Sequence, residues 1–440
     1  MKRLGNIYDR LWERELLSLA YYRSRKGKSH RKDIMAFDER CEEDLNRLGE
    51  EIRDGSFQFS GYSFFKIFDP KERVIAVAPL RDRIVHHALI AIVGERLERS
   101  LVDRSFACRK GKGQWAAVAC ARKLAIRHEW CLKIDIKSFF DSVDHEILKR
   151  LLARKIKDVR ILRLIGQLIG SYQTEPGKGL PIGNLTSQYF ANLYLDAFDR
   201  WIERTGGAEV RYMDDVLIFG ERDMLKHLLR EMPAFLEEKL RLRLKNTGGL
   251  HRCARGVDFL GTRVFPDKLR VSRRTKVRYR RNLRRVERAY NKGMISELAC
   301  QRKLVQLSAF LRNCETSALR RRIILEVESG ELSHDARRLL EQQQQRRLCS
   351  GLAERVSQQQ LQQQHQPEQQ QQLLGLPGLV LPRSSTNKGV RLNRSISSTA
   401  ACRSQTFDCG AVLVGPRPNA TYRCLILRGE QGDLTKGRER

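Results

Sequence analysis

The sequence has no long apolar run, because its hydrophobic stretches fall short of the roughly 20 residues that cross a bilayer as a helix. Residues 1–6 also lack the apolar segment of a secretory signal peptide. Both absences argue against a membrane-spanning or exported protein. We therefore expect a cytoplasmic protein with no membrane partner.

Paired cysteines are also missing. The chain has 11 cysteines, an odd number, and none of them forms a Cys-x-x-Cys pair. Disulfide frameworks and zinc sites both use cysteines at regular, close spacings. The pattern therefore predicts free thiols in a reducing compartment. A basic glycine loop at residues 109–114 lacks the spacing of a phosphate-binding loop.

Positive charge is what the chain has in excess. It carries 84 Lys and Arg against 52 Asp and Glu, a formal net charge of +32. Residues 1–340 hold 70 of the basic and 45 of the acidic residues. Such an excess predicts a polyanionic partner, with nucleic acid the first expectation and an anionic membrane surface the second. A general solubility charge, as in basic ribosomal proteins, is the alternative.

The C-terminal part differs in composition. Residues 341–372 contain 15 glutamines in 32 positions. This is low complexity, typical of a linker or a coiled segment, and it predicts no particular fold. We treat residues 333–372 as a glutamine-rich linker and residues 373–440 as an extension without a recognisable catalytic pattern.

Two adjacent aspartates interrupt an apolar, β-prone stretch at residues 210–219. The pattern predicts a β-hairpin with Met213, Asp214 and Asp215 at its turn. A plain polar turn would explain the pair, since aspartate is common in turns. Binding of a divalent cation would also explain it, because hard cations prefer carboxylate oxygens.

A third carboxylate lies inside an apolar strand at residues 131–136. A charge there is costly unless it is neutralised, so Asp135 is the candidate third ligand. Asp141 and Asp144 are better explained as residues that begin helices. Three carboxylates on two neighbouring strands could hold two metal ions, which would activate a 3′-hydroxyl and stabilise a pyrophosphate leaving group.

The flanking segments have recognisable periodicities. A glycine-rich loop at residues 177–188 permits close approach of an anion to a helix N-terminus. We predict strands at residues 62–67, 73–78 and 242–245 and a hairpin at 256–265. We predict helices at residues 37–52, 146–152, 159–169, 189–203, 224–240 (interrupted by Pro233), 270–288 and, as a pair, 295–326.

In this order the motifs resemble those of reverse transcriptases. They are the basic hairpin, Asp135 to Phe140, the loop at residues 180–188, Tyr212-Met213-Asp214-Asp215, and Phe259-Leu260-Gly261 before a basic helix. The loop has Ile182 and Gln188 where many of these enzymes have glutamine and proline. With these two residues the loop resembles that of the bacterial reverse transcriptases of diversity-generating retroelements. These enzymes are related to the reverse transcriptases of group II introns and retrons.

The resemblance implies an α+β fold: a right-hand polymerase with a palm (antiparallel sheet plus helices), fingers and a helical thumb, followed by the low-complexity extension. The implied segments are an N-terminal basic helical segment (1–55), fingers (56–120), palm (121–265, with fingers and palm insertions at 150–188) and thumb (266–332).

It also implies roles for individual residues. Asp135, Asp214 and Asp215 would be catalytic and, with Ile136, would hold two Mg²⁺ ions, for which Mn²⁺ could substitute. Phe140 would be an aromatic gate against a 2′-hydroxyl, and Lys245 a proton donor. Nucleotide-binding residues would be Lys71, Arg73, Arg83, Phe140, Ile182, Gly183 and Gln188. Primer and template would contact Tyr212, Met213, Phe259, Leu260, Gly261, Arg273, Arg274 and Lys276.

The implied function is RNA-directed synthesis of cDNA, with frequent errors at template adenines. Ile182 offers no side-chain hydrogen bond, so with Arg73 it is the candidate for that infidelity. The implied partners are template RNA, the RNA/cDNA duplex, dNTPs and a small basic accessory variability protein, in the cytoplasm of a bacterium or from its phage. The alternatives are a group II intron or retron reverse transcriptase, and a catalytically inactive RNA-binding protein with this fold.

Overall fold

A computed structural model of the protein describes residues 2–68, 72–246, 249–316 and Leu319. Lys71, the glutamine-rich linker and the C-terminal extension lie outside the described residues, as does most of the segment 317–332. The described residues belong to a compact unit that spans Met1–Gln359. No helix among them is long and apolar enough to cross a membrane.

The chain begins with helices. A 3-10 turn at Tyr8–Trp12 precedes α1 (Arg14–Arg25), α2 (Lys32–Glu39) and α3 (Cys41–Asp54). The helix expected at residues 37–52 is therefore two helices, because Arg40 leaves helical geometry with φ −123° and ψ 28°. The end of α3 agrees with the prediction: Gly55 adopts φ 75°, a left-handed value that glycine tolerates and that commonly ends helices.

An antiparallel hairpin follows, as the alternating pattern predicted. It pairs β1 (Ser63–Phe68) with β2 (Glu72–Val77), and places Ile67 opposite Arg73. The largely buried helix α4 (Leu80–Ser100) packs against α1, and α5 (Gln114–Arg127) comes next.

The core of the fold is an antiparallel sheet. Its strands are β3 (Trp130–Ile136), β4 (Ala208–Tyr212), β5 (Asp215–Gly220), β6 (Leu244–Asn246) and β7 (Leu250–Arg252). Their order is β4-β5-β3-β6, with β7 also paired to β3. The predicted strand at residues 242–245 is thus shorter and shifted, and the sequence analysis missed β7, whose three residues are too few to show a period.

Helices cover this sheet. They are α6 (Phe139–Ser142), α7 (His145–Ala153), α8 (Val159–Gly170), α9 (Leu185–Arg204) and α10 (Arg222–Leu240). The side chain of Asp144 caps α7 by accepting a hydrogen bond from Ile147 N at 2.9 Å, as predicted. Alternate strand residues face two apolar clusters, one that includes α9 and α10 and another that includes α5.

Two helix predictions need correction. The helix expected to begin at Tyr189 begins at Leu185, because buried Thr186 and Ser187 extend it into the glycine-rich segment. Helix α10 is not interrupted at Pro233. Proline costs roughly 3 kcal/mol inside a helix, and a row of buried side chains offsets that cost: Leu225, Leu228, Met232 and Leu236.

A smaller sheet and two helices complete the described part. The sheet contains β8 (Val257–Phe259), β9 (Thr262–Val264) and β10 (Leu269–Val271). The first two form the predicted hairpin, whereas β10 lies where the basic helix was expected to start. That helix, α11 (Arg273–Asn291), begins after Ser272, whose hydroxyl accepts a hydrogen bond from Thr275 N at 3.3 Å. Helix α12 (Glu297–Ala309) follows, and a 3-10 turn at Phe310–Asn313 ends the series.

Candidate active site

The structure brings the three predicted carboxylates together. Strands β3 and β5 are neighbours, and Asp135 lies directly opposite Asp215 in their register. Asp214 lies in the two-residue turn between β4 and β5, after Met213. Met213 has φ 58°, a left-handed value that costs a non-glycine residue roughly 1–3 kcal/mol unless its surroundings hold it in place.

Arg211 holds this turn in place. Its guanidinium is fully buried and pairs with Asp199 of α9, with nitrogen–oxygen distances of 2.7 to 2.9 Å. It also donates to the Asn192 side chain at 3.1 Å and to the Met213 carbonyl at 3.3 Å. The sequence analysis missed all three supporting residues. The available signal was a charged residue between apolar neighbours on a strand, the same signal that identified Asp135.

Burial and mutual repulsion raise the pKa of both Asp214 and Asp215. Burial raises the pKa of Asp214, and Asp135 adds to the rise, while Arg73 and Lys245 oppose it. Burial likewise raises the pKa of Asp215, with Lys133 opposing and the other two aspartates contributing. Both carboxylates are therefore harder to ionise here than in water, and a bound cation would favour their ionised forms.

Two lysines lie against these carboxylates. Lys245, the predicted proton donor, donates to Asp135 Oδ2 at 2.7 Å. Lys133 Nζ lies 3.5 Å from Asp215 Oδ1 and donates to the carbonyl of Asp258 in β8 at 2.6 Å. Lys133, which the sequence analysis did not single out, thus connects the carboxylates to the hairpin β8–β9.

The donor set suits a hard divalent cation. Asp215 Oδ1 is buried and faces Lys133 Nζ at 3.5 Å, which is too long for a strong hydrogen bond, so this oxygen retains unused acceptor capacity. Carboxylate oxygens are the ligands that such cations prefer. Within the described ranges, no group of three or more His, Cys, Asp or Glu side chains is already arranged as a metal site. A cation would be held by Asp135, Asp214 and Asp215, with Lys245 displaced from Asp135. No recorded contact bears on the predicted role of Ile136.

The loop before α9 packs against the hairpin β1–β2. Ala76 N donates to the carbonyl of Ile182 at 3.0 Å, and Leu180 N donates to the carbonyl of Phe140 at 2.8 Å. Gly183 has φ 109°, and a Cβ there would lie 2.8 Å from Ile75 Cγ2, so only glycine fits. The loop therefore brings the predicted Phe140, Ile182 and Gly183 next to the strand that carries Arg73.

Other predicted nucleotide-binding residues have different neighbours. Arg83 donates to Asp33 at 3.2 Å, and no recorded contact brings it to the three carboxylates. Gln188 lies in the first turn of α9 rather than in a loop, and it accepts a hydrogen bond from Cys108 Sγ at 3.5 Å. Lys71 is outside the described residues.

The predicted primer-contacting hairpin has a tight turn. Leu260 and Gly261 both have positive φ values, 48° and 78°, which is the geometry of a type I′ turn. Gln114 donates to the carbonyl of Leu260 at 2.8 Å, and Ser272 N donates to that of Gly261 at 3.0 Å. The turn is thereby tied to α5 and to the start of α11. Its predicted neighbours Arg273 and Arg274 are exposed, Lys276 and Tyr212 are half-buried, and Phe259 is buried.

Comparison with known proteins identifies this region. Residues 68–264 match the family described as reverse transcriptase (RNA-dependent DNA polymerase). The match covers less than half of the chain, and these residues are similar to a reverse transcriptase domain. Members of this family are RNA-directed DNA polymerases, a class of nucleotidyltransferase, and they generally use divalent metal ions. All three carboxylates lie within the matched residues, and so do Lys133, Lys245 and the hairpin β8–β9.

Several proteins similar to this chain are encoded by introns. The COX1/OXI3 intron 1 protein of Saccharomyces cerevisiae is 28% identical over 169 residues, covering 36% of this chain and 20% of that protein. The group II intron-encoded protein LtrA of Lactococcus lactis subsp. cremoris is 25% identical over 170 residues, covering 37% of this chain and 28% of that protein. Protein YkfC of Escherichia coli is 23% identical over 279 residues, covering 52% of this chain and 72% of that protein.

The first and second of these relatives are much longer than the part matched here, since the chain spans about a fifth and just over a quarter of them. The predicted reverse transcriptase resemblance is confirmed for residues 68–264. The retroelement subtype stays a prediction.

Proposed function

We propose that the chain is an RNA-directed DNA polymerase that extends a primer on an RNA template with two Mg²⁺ ions. The observation that carries the proposal is the juxtaposition of three carboxylates within the residues that match the reverse transcriptase family. Asp135 and Asp215 lie opposite each other on adjacent strands, and Asp214 lies in the turn that precedes Asp215. When bound, the ions would lower the pKa of the primer 3′-hydroxyl and neutralise the triphosphate.

The chain's own residues then have separate tasks. Asp135 and Asp214 would bind both ions, and Asp215 would support them from the strand. Arg73, whose charge acts on Asp214, would hold the triphosphate of the incoming dNTP. Lys245, once released from Asp135, would donate a proton to the pyrophosphate. Phe140 would exclude a 2′-hydroxyl.

In this proposal the larger elements take the roles of a right hand. The hairpin β1–β2 with the start of α4 would be the fingers, and the five-stranded sheet the palm. The hairpin β8–β9 would grip the primer, and α11 with α12 would form the thumb. The exposed cations at the start of α11 would contact phosphates of the RNA/cDNA duplex without regard to sequence.

For the subtype we propose a diversity-generating retroelement enzyme of a bacterium or its phage, error-prone at template adenines and assisted by a small basic accessory protein. What supports it is the loop sequence around Ile182 and Gln188. The intron-encoded relatives favour a second candidate, a group II intron reverse transcriptase. A pair of genomic repeats that differ mainly at adenines would support the first, and an adjoining intron RNA the second.

The test of polymerase activity is primer extension on poly(rA)/oligo(dT) with dTTP and Mg²⁺. The wild type should incorporate dTTP, and Asp214→Ala and Asp215→Ala should each lose on the order of a hundredfold or more, the usual scale for one electrostatic stabiliser. Asp223→Asn, an exposed carboxylate at the start of α10, is the matched control and should retain activity. A wild type without metal-dependent incorporation would leave the RNA-binding alternative.

A further inference from the structure

Two lysines face the three carboxylates, and they differ in how closely they approach them. Lys245 Nζ lies 2.7 Å from Asp135 Oδ2, whereas Lys133 Nζ lies 3.5 Å from Asp215 Oδ1. An ammonium group that is hydrogen-bonded to a carboxylate usually has its nitrogen about 2.7–2.9 Å from the oxygen. Lys133 therefore stops short of the contact that its charge favours.

The sheet itself does not prevent that contact. Lys133 lies opposite Leu217 in the register of β3 with β5, so Asp215 is its diagonal neighbour on the same face. Diagonal neighbours in an antiparallel pair are within reach of long side chains. The flexible four-carbon stem of a lysine could bring the ammonium onto Asp215 while both strands stay in place. The separation of 3.5 Å must have another cause.

The cause is a backbone carbonyl of the neighbouring hairpin. Lys133 Nζ donates to the carbonyl of Asp258 in β8 at 2.6 Å. Val257 and Phe259, on either side of Asp258, are buried, so the fold of the hairpin determines where this carbonyl lies. The hairpin β8–β9 thus holds the ammonium of Lys133 away from Asp215.

The hairpin is in turn fastened to α5. Gln114, the first residue of α5, donates from Nε2 to the carbonyl of Leu260 at 2.8 Å. Leu260 lies in the turn between β8 and β9, two residues after Asp258. Loss of this amide would loosen the hairpin and let the Asp258 carbonyl move away from Lys133.

The position of Lys133 determines how available Asp215 is to a cation. An ammonium in full contact with Asp215 Oδ1 would compete with a divalent cation for that oxygen. At 3.5 Å the competition is weak, and the oxygen keeps acceptor capacity for a metal ligand bond. The hairpin therefore acts on the metal centre without touching it.

We propose that Lys133 is a positioning residue through which the hairpin β8–β9 controls the binding of a divalent cation at Asp215. When the hairpin is fastened to α5, the Asp258 carbonyl retains Lys133, and Asp215 is open to the cation. When the hairpin is displaced, Lys133 pairs with Asp215, and the cation binds more weakly.

This control would make the metal centre responsive to a primer. A primer gripped by the hairpin would favour the fastened position, so the centre would fill more readily when a primer is present. The link from the hairpin to a primer rests on the proposed function. The link from the hairpin to the cation does not, and it can be measured without nucleic acid.

The experiment measures binding of Mn²⁺ to the full chain by electron paramagnetic resonance of the free ion. Gln114→Ala, Lys133→Met and the double variant form a double-mutant cycle with the wild type. Gln114→Ala changes no charge, and its matched control is Gln301→Ala, which removes an amide that donates to Glu297 within α12. Only Mn²⁺ binding that Asp214→Ala abolishes is assigned to the centre. A wild type without such binding would overturn the cation site itself.

We expect Gln114→Ala to weaken Mn²⁺ binding roughly tenfold, the scale of one hydrogen bond to a charged group. Gln301→Ala should leave the affinity unchanged. Lys133→Met should bind Mn²⁺ more tightly than the wild type, and the addition of Gln114→Ala to it should then have no effect. Equal weakening in both backgrounds would overturn the proposal, because the hairpin would act without Lys133. No weakening in either background would overturn it as well.

Lys133→Arg provides a second test that keeps the charge. The longer guanidinium has enough donors to bind the Asp258 carbonyl and Asp215 together. We therefore expect this variant to bind Mn²⁺ more weakly than the wild type, and an affinity equal to or above that of the wild type would contradict the proposal. Because none of these measurements needs primer extension, failure of the polymerase proposal would leave them intact.

Discussion

At the scale of single residues, Asp214 and Asp215 lie in an environment that disfavours the ionised form of a carboxylate. Burial and their neighbours raise the pKa of both groups. When folding raises the pKa of a carboxyl, the protonated group contributes its full stability at a pH below the pKa of the unfolded chain. This contribution is lost as the pH rises through the pKa of the folded state. Above the folded-state pKa the ionised carboxylates therefore destabilise the fold, and a bound cation would remove that cost.

We accordingly expect Asp215→Asn to be more stable than the wild type in EDTA at pH 8, by about 1.4 kcal/mol if the folded-state pKa lies one pH unit above that of the unfolded chain. The gain should shrink as the pH is lowered towards the unfolded pKa of the carboxyl. Thermal unfolding followed by circular dichroism measures it, and Asp223→Asn should show no comparable gain. A variant less stable than the wild type at pH 8 would contradict the destabilising role.

At the scale of elements, the loop before α9 and the strand β2 form one wall of the site. The hydrogen bond from Ala76 N to the carbonyl of Ile182 uses the backbone, so it survives any substitution at Ile182. In the proposed polymerase, the half-buried side chain of Ile182 would then influence how the incoming nucleotide is held. An isoleucine can offer packing but no hydrogen bond.

We predict that Ile182→Gln lowers misincorporation opposite template adenine by roughly tenfold, the equivalent of one net hydrogen bond of about 1.4 kcal/mol. Sequencing of cDNA made on a defined RNA template gives the error frequency at each base. Ile182→Leu, which keeps an aliphatic side chain, should leave the error spectrum as it is. An unchanged spectrum in the glutamine variant would rule out this residue as a source of infidelity.

At the scale of the whole molecule, the buried pair of Arg211 and Asp199 connects the sheet to α9. Removing one partner of such a pair leaves an uncompensated charge and costs roughly 3–5 kcal/mol, whereas replacing both with apolar residues is often neutral. Urea denaturation should therefore show a large loss for Arg211→Met and recovery of most of it in Arg211→Met/Asp199→Leu. Additive losses in this double-mutant cycle would show that the two residues act independently.

The recovered double variant also separates stability from function. It restores the neutral balance of the core but not the donor to the Met213 carbonyl. We expect it to fold and yet to extend primers more slowly than the wild type. Wild-type rates in the double variant would mean that the turn needs no support from Arg211.

The parts of the molecule that could be predicted from the sequence are those determined by residues close to one another in the chain. Alternation predicted β1 and β2, an apolar, β-prone stretch predicted β4 and β5, and the cost of a charge in an apolar strand identified Asp135. What the sequence could not show depends on contacts between distant residues. Lys133 meets the backbone of Asp258 across 125 positions, and Arg211 is explained only by a carboxylate on the preceding helix. The short strands β7 and β10 are defined by their pairing with β3 and β9, because three residues are too few to show a period of their own.

The buried Arg211 has a mechanical consequence. Because its guanidinium binds both Asp199 of α9 and the carbonyl of Met213, it fixes the aspartate turn to the rigid interior of the fold. In the proposed polymerase, the side of the cleft that carries the aspartate turn would therefore be rigid. Mismatched bases would then have to be accommodated by movement of the segment where Gly183 contacts β2 and Arg73 is exposed to solvent.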